Sequence, residues 1–194
     1  MNINEIAKLA GVSRATVSRY LNNGYVSEEK KKIIRKVIEE TGYQPSSQAQ
    51  MLRTKKTKLV GVILPKIDSN TISREVAGIS DILTKKGYQL ILANTNNNIE
   101  EELKYLSLFK DNQVDGVIFI ATILTKQHRD MLKEYKVPIV LLGQRLEGYP
   151  CIFQDDQKAA MTLTEQMVKT GSKFGYITVT DKDEAVGRKR MSGV

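Results

Sequence analysis

Ala7-Lys8-Leu9-Ala10-Gly11-Val12-Ser13-Arg14-Ala15-Thr16-Val17-Ser18-Arg19-Tyr20-Leu21-Asn22 is the stretch on which the reading of this chain turns. It reads as two short helices joined by a tight turn. Asn2 is placed to cap the first, with Glu5 three residues on as the return half of a capping box. Ile3, Ile6, Ala7, Leu9 and Ala10 recur at helical spacing and form one apolar face. Gly11 follows, the residue that best accepts the left-handed backbone with which a helix stops abruptly. Val12 buries the turn and Ser13 caps the second helix. That helix hides Val17, Tyr20 and Leu21 and turns Arg14, Ala15, Ser18 and Arg19 outward. The major groove of DNA admits a helix, arginine pairs with guanine, and small side chains allow close approach. In this reading Arg14, Ala15 and Arg19 face base edges, while Ser13, Thr16, Ser18 and Asn22 steady the phosphates. The pattern alone also fits an ordinary surface helical hairpin.

The charge distribution separates the two. The 194 residues carry a formal charge of +8. Residues 1–58 hold 12 Lys and Arg against 5 Asp and Glu, while the rest holds 18 against 17. The excess therefore sits on the segment that would neutralise phosphates. A uniformly basic surface would show no such asymmetry. Hydrophobic content of 41% and charged content of 27% are those of an ordinary soluble chain. A single cysteine, Cys151, excludes an intrachain disulfide and a cysteine-rich metal site, so no metal is expected. His128 is the single histidine, and its polar helical surroundings predict a surface position. The polar, capped start does not resemble a signal peptide, and no apolar run approaches the roughly 20 residues of a membrane span. A cytoplasmic location without a membrane partner is expected.

After a turn at Asn23-Gly24-Tyr25, Ser27 is placed to cap a third helix running to about Thr41. Ile33, Ile34, Val37 and Ile38 lie on its buried side and Gly42 ends it. Lys30, Lys31, Lys32, Arg35 and Lys36 lie on its outer faces, where phosphate contact and plain solvation are both open readings. Residues 43–58 look like a linker, although Ser46 to Arg53 can form two helical turns that order only against a partner.

From Leu59 the period changes. Leu59–Leu64, Tyr88–Ala93, Val114–Ala121, Val137–Gly143 and Phe174–Val179 read as strands, apolar throughout and so buried on both faces. Between them, Ser73–Gly87 is predicted as a helix with Val76, Ile79, Ile82 and Leu83 inward. Ile99–Asp111 follows with Leu103, Leu106, Leu108 and Phe109 inward, then Thr125–Lys136 and Asp156–Thr170. This alternation predicts a parallel sheet with helices on both faces. Ligands of such sheets bind outside the C-terminal strand ends. Those ends carry Pro65–Thr71, Asn94–Asn98 and Gln144-Arg145, whose amides, hydroxyls and charges suit a polyol or phosphorylated sugar. Ser69 and Asn94 read better as helix caps.

Ala10-Gly11-Val12-Ser13, Thr16-Val17-Ser18-Arg19 and Leu21-Asn22 together resemble the N-terminal motif of the LacI/GalR family of bacterial transcription regulators. Tyr43-x-Pro45 followed by Ala49-x-x-Leu52-Arg53 resembles that family's hinge helix, with Gln50 and Met51 where Arg-Ser is frequent. The resemblance implies a homodimer on a palindromic double-stranded operator. Two hinge helices enter the minor groove, where Ala49 makes contact and Leu52 wedges between base pairs and kinks the duplex. The plainer alternative for Leu52 is packing onto the next domain. Tyr88-x-Leu90, Gln113–Ile118, Val137-Pro138-Ile139-Val140 and Asp155-Asp156 resemble landmarks of the family's effector domain, which is similar to periplasmic sugar-binding proteins. Arg190-Met191-Ser192-Gly193 resembles its arginine motif. By that carry-over Asn70, Thr71, Asp155 and Arg190 are effector-site candidates, joined by Arg145 from the strand ends. The family's Asn-Pro-Phe-Phe lip is absent, and Asp68-Ser69 resembles the disaccharide-responsive members.

The expected architecture is an all-α helix-turn-helix headpiece (1–45), a hinge and linker (46–58), the first α/β lobe (59–158) and the start of a second lobe (159–194). Val186–Val194 reads as the opening of an unfinished helix, so the second lobe is expected to be incomplete and its effector cleft short of one wall. The expected function is a sequence-specific regulator, a repressor of carbohydrate-utilisation genes released by a sugar or sugar phosphate, with no cofactor. A sugar-binding module with an incidental basic end is the second reading. Enzyme activity is not expected. No glycine-rich loop follows the first strand, which reads Leu64-Pro65-Lys66, and no Gly-x-Ser-x-Gly elbow is present.

Overall fold

The computed structural model describes residues 1–44, 56–111 and 114–194. It divides into two compact units, Met1–Lys56 and Thr57–Val194. The first holds α1 (Ile3–Leu9), α2 (Arg14–Leu21) and α3 (Glu28–Thr41). Asn2 and Glu5 close the capping box: Asn2 Oδ1 accepts from the N–H groups of Asn4 and Glu5, and the Asn2 N–H donates to Glu5 at 2.8 Å. Gly11 takes φ +61°, the left-handed region that favours glycine, which lets the chain reverse between α1 and α2. Ile6, Ala7, Ala10, Val17, Val26 and Ile34 form the core, with Tyr20, Leu21, Val37 and Ile38 packed around it. Leu9 and Ile33, expected inside, face solvent: each sits one position off the stripe that contacts the other two helices. Ser27 occupies the N-cap of α3 but makes no side-chain cap hydrogen bond.

The second unit is built on β1 (Leu59–Leu64), α4 (Asn70–Lys85), β2 (Gln89–Asn94), α5 (Ile99–Asp111), β3 (Gly116–Ile120), α6 (Lys126–Lys133), β4 (Ile139–Leu142), β5 (Cys151–Ile152) and α7 (Asp156–Met167). A π-helical turn (Glu184–Lys189) and a short helix α8 (Arg190–Ser192) follow. The sheet order is β2-β1-β3-β4-β5, parallel throughout. β1 is therefore flanked by β2 on one side and β3 on the other, and the strand order reverses there. One face packs Ile63, Phe119 and Leu141 under Leu106, Phe109 and Leu132 of α5 and α6. The other packs Val62, Leu64 and Ile120 under Ile72, Val76 and Ile79 of α4. Each such side chain, fully buried, contributes about 1.5–3 kcal/mol. Asp115 ties the sheet's entrance: its Oδ1 accepts from Thr57 N–H at 2.7 Å and its Oδ2 from Lys58 N–H at 3.1 Å.

Four expectations are corrected. Phe174–Val179 pairs with no strand among the described residues, and Ile177 is 98% exposed; a strand exists only through its ladder, and this segment joins none among the described residues. β2 is not buried on both faces: it is an edge strand, and Ile91 and Leu92 reach solvent. Ile82 and Leu108 likewise face outward from α4 and α5. His128 is not on the surface. It is fully buried, because it lies one turn before Leu132 on the stripe of α6 that faces the sheet. Its Nε2 lies 3.1 Å from Oε2 of the equally buried Glu102 on α5, and its ring stacks on Phe119.

Glu75, on α4, is a less comfortable carboxyl. Its Oε2 is buried with no hydrogen-bond partner among the described residues, and burial pushes its pKa up. The native state then holds the proton to higher pH than the unfolded chain does. The penalty is absent below the ordinary carboxylate value, grows as pH rises, and is complete above the raised value. Glu75→Gln is expected to raise the melting temperature at pH 7 and to leave it unchanged near pH 3.5, as read by calorimetric scans at the two pH values.

Candidate functional site

The outer face of α2 is set by its cap and its period. Ser13 is extended at the N-cap, and its Oγ accepts from Thr16 N–H at 3.2 Å and lies 2.9 Å from Thr16 Oγ1. This fixes the first turn, where unpaired backbone N–H groups make an electropositive end. Val17 is the fully buried anchor, which turns Arg14, Ala15 and Arg19 to solvent and leaves Ser18 half-buried. Asn22 closes the helix, its Nδ2 donating to the Ser18 carbonyl. Of the residues expected to meet DNA, Ser13, Arg14, Ala15, Arg19 and Asn22 are exposed and Thr16 and Ser18 half-buried, while Ala49 and Leu52 fall outside the described residues. On α3, Lys31 is paired with Glu28 at 2.6 Å, which holds the Glu28 carboxyl below its ordinary pKa.

The effector candidates are spread over α4, the loop after β4, the N-cap of α7 and α8. Asn70 and Thr71 are exposed in the first turn of α4, beyond the C-terminal end of β1. Ser69 holds the N-cap position of α4 without a side-chain cap bond. Asn94, expected as a cap, instead ends β2 and accepts from Ile67 N–H at 3.2 Å, steadying the loop after β1. The cap of α5 is Asn98, which accepts from Glu100 and Glu101. Asp155 caps α7 by accepting from Lys158 N–H at 3.1 Å. Arg190 donates from Nε to Asp156 Oδ1 at 2.6 Å and borders an apolar cavity of about 700 Å³ formed by α7 and residues 174–179. Arg145 borders a separate charged recess with Glu147, Glu184 and Lys189.

Three polar residues outside the expected set organise this end of the sheet. Buried Gln144 donates from Nε2 to the Thr122 carbonyl at 2.7 Å and to Asp183 Oδ1 at 2.8 Å. Asp183 also accepts from the N–H groups of Ala185 and Val186, capping the π-helical turn. Buried Asp156 anchors Arg190. Gln144 stands out in the sequence only as the neighbour of Arg145; its bonds to Thr122 and Asp183, and that of Asp156 to Arg190, join residues too distant along the chain for any local signal. Among the described residues no group of three or more His, Cys, Asp or Glu is placed to hold a metal ion, and no helix is long and apolar enough to cross a membrane.

Known proteins match both units. Residues 2–46 match the family described as "Bacterial regulatory proteins, lacI family", and residues 57–193 match "Periplasmic binding proteins and sugar binding domain of LacI family". The chain is 37% identical over its whole length to the sucrose operon repressor of Staphylococcus xylosus, of which it covers 61%. It is 35% identical to catabolite control protein A of Priestia megaterium, again over its whole length and 59% of that protein. Among solved structures, the lac repressor dimer bound to operator and the anti-inducer ONPF shares the fold, with a TM-score of 0.87, 21% identity, and coverage of all of this chain and 60% of that one. The transcription regulator CcpA of Lactococcus lactis matches 70% of this chain and 51% of its own, at 35% identity and a TM-score of 0.64. The chain thus spans about 60% of the length of the curated relatives named here. With a matched headpiece and a matched α/β unit on one polypeptide, the chain belongs to the LacI family of bacterial regulatory proteins.

Proposed function

We propose that this chain provides the operator-binding part of a cytoplasmic transcriptional repressor of carbohydrate-utilisation genes, working as a homodimer on palindromic double-stranded DNA. A sugar or sugar-phosphate effector releases it. The observation that carries this reading is the exposed face of α2, where Arg14, Ala15 and Arg19 stand on a capped helix within the most basic part of the chain. Arg14, Ala15 and Arg19 read base edges, and Ser13, Thr16, Ser18 and Asn22 contact phosphates. Ala49 and Leu52 act in the minor groove. Residues 1–45 are the headpiece, 46–58 the hinge, 59–158 the first lobe and 159–194 the start of the second. Asn70, Thr71, Arg145, Asp155 and Arg190 are the effector residues; Arg190 keeps further N–H donors after its bond to Asp156. The names of the relatives, a sucrose operon repressor and a catabolite control protein, support a regulator without enzyme activity.

The test is a binding titration of the full chain against a library of palindromic duplexes at low ionic strength, read by fluorescence anisotropy. Arg19→Ala is expected to cost about 1–3 kcal/mol on the preferred operator and to flatten the preference at one base position per half-site. An equal loss on every sequence would remove Arg19 from base reading. Absence of any DNA binding by the wild-type chain would overturn the function itself.

A further inference from the structure

The headpiece holds one recess that the reading of α2 does not use. An open notch of about 490 Å³ lies where the C-terminal end of α2 meets α3, bordered by Tyr20, Leu21, Asn23, Gly24, Lys31 and Arg35. Its floor is the turn after α2, fastened to the helix by Gly24 N–H donating to the Arg19 carbonyl at 2.8 Å and by Asn23 N–H donating to the Tyr20 carbonyl at 3.2 Å. The notch is thus continuous with the backbone of Arg19, whose side chain is exposed to solvent.

Two cations line it, and they are held differently. Lys31 is half-buried and engaged by Glu28. Arg35 is exposed and stands beside Tyr20 on the rim of the notch; Tyr20 first, and Glu39 and Glu28 more weakly, favour its charged form. Its guanidinium N–H groups form a planar fork whose spacing matches two oxygens of a phosphodiester. Tyr20 belongs to α2 and Arg35 to α3, so the notch joins α3 to the same helix whose outer face carries Arg14 and Arg19.

We propose that this notch seats one phosphate of the DNA backbone beside the bases read by α2, with Arg35 as its ligand, Lys31 as supporting charge and Tyr20 as the residue that positions Arg35. The proposal rests on the DNA-binding reading. It adds a backbone anchor that sets the register of the recognition helix and carries no sequence information itself. The competing explanation is that Lys31 and Arg35 only complement the negative end of the α2 dipole, in which case they affect stability and not the salt dependence of binding.

The deciding measurement is the slope of log K against log salt concentration for the full chain on its preferred duplex and on a scrambled one. Removing one phosphate ligand lowers the slope by about 0.9, which near 0.1 M salt is about an eightfold weaker affinity. Arg35→Gln is expected to reduce the slope by that amount per bound protomer and to weaken both duplexes equally. Arg35→Lys should restore the slope but not the full affinity, since the planar fork is then missing. Tyr20→Phe should weaken binding without changing the slope. Melting curves of each variant register any loss of fold separately. An Arg35→Gln protein that stays folded and keeps the wild-type slope overturns the notch while leaving base reading by α2 intact. A wild-type chain that binds neither duplex overturns both.

Discussion

His128→Ala is expected to lower the unfolding free energy of the 57–194 unit by about 3–5 kcal/mol, the range found when one member of a buried pair is removed and the other left behind. Thr125 N–H donates to His128 Nδ1 at 3.2 Å, and Thr125 Oγ1 lies 2.8 Å from the same nitrogen. That nitrogen is therefore an acceptor, which places the ring proton on Nε2, facing Glu102 Oε2. The 3.1 Å separation is close enough to pair the two groups but off the line of a well-formed hydrogen bond, and neither atom has another partner among the described residues. Deleting the imidazole strands the Glu102 carboxyl in an apolar layer and also removes the side chain that accepts from the N-cap of α6. Glu102→Gln, which keeps shape and hydrogen-bonding capacity, should cost no more than about 1–2 kcal/mol. Urea titrations of both variants check the pair. A loss below about 1 kcal/mol for His128→Ala would show that the two side chains are not coupled.

Phe109→Ala is the second large effect, expected at about 3–5 kcal/mol, because the ring is 3% exposed and fills the layer between α5 and β1. The ring fits because residue 61 has no side chain. A Cβ built on Gly61 would lie 2.6 Å from Phe109 Cδ2. Gly61→Ala alone is therefore expected to cost about 1–3 kcal/mol through overpacking. Combined with Phe109→Ala it should cost much less, since the space is then vacant. Chemical denaturation of the two single variants and the double variant closes the cycle. Strict additivity would mean that residues 61 and 109 do not compete for the same volume.

Much of the headpiece is legible in the order of its residues. Caps act within three residues and helical spacing within one or two turns, so Asn2 with Glu5, Gly11, Ser13 and buried Val17 all lie where local physics puts them. The outward face of Arg14, Ala15 and Arg19 follows from the same spacing. The alternating apolar strands and amphipathic helices likewise announce a parallel sheet, since only burial on both faces tolerates a run such as Val60–Leu64.

What the sequence could not determine depends on partners distant along the chain. His128 looks like a surface residue until α5 supplies Glu102, 26 positions earlier. Gln144 looks like a loop residue until Asp183, 39 positions later, arrives to accept its hydrogen bond. Phe174–Val179 has the composition of a strand, yet a strand is made by its neighbour, and none is offered among the described residues. Tyr20 and Arg35 meet only because α2 crosses α3. The amino-acid sequence by itself determined the headpiece, the basic outer face of α2 and the α/β order of the second unit, because propensity, capping and periodicity are local. The tertiary structure alone decided which polar groups are buried together and which apolar residues are left exposed, because burial is a property of two surfaces and one chain segment supplies only one of them.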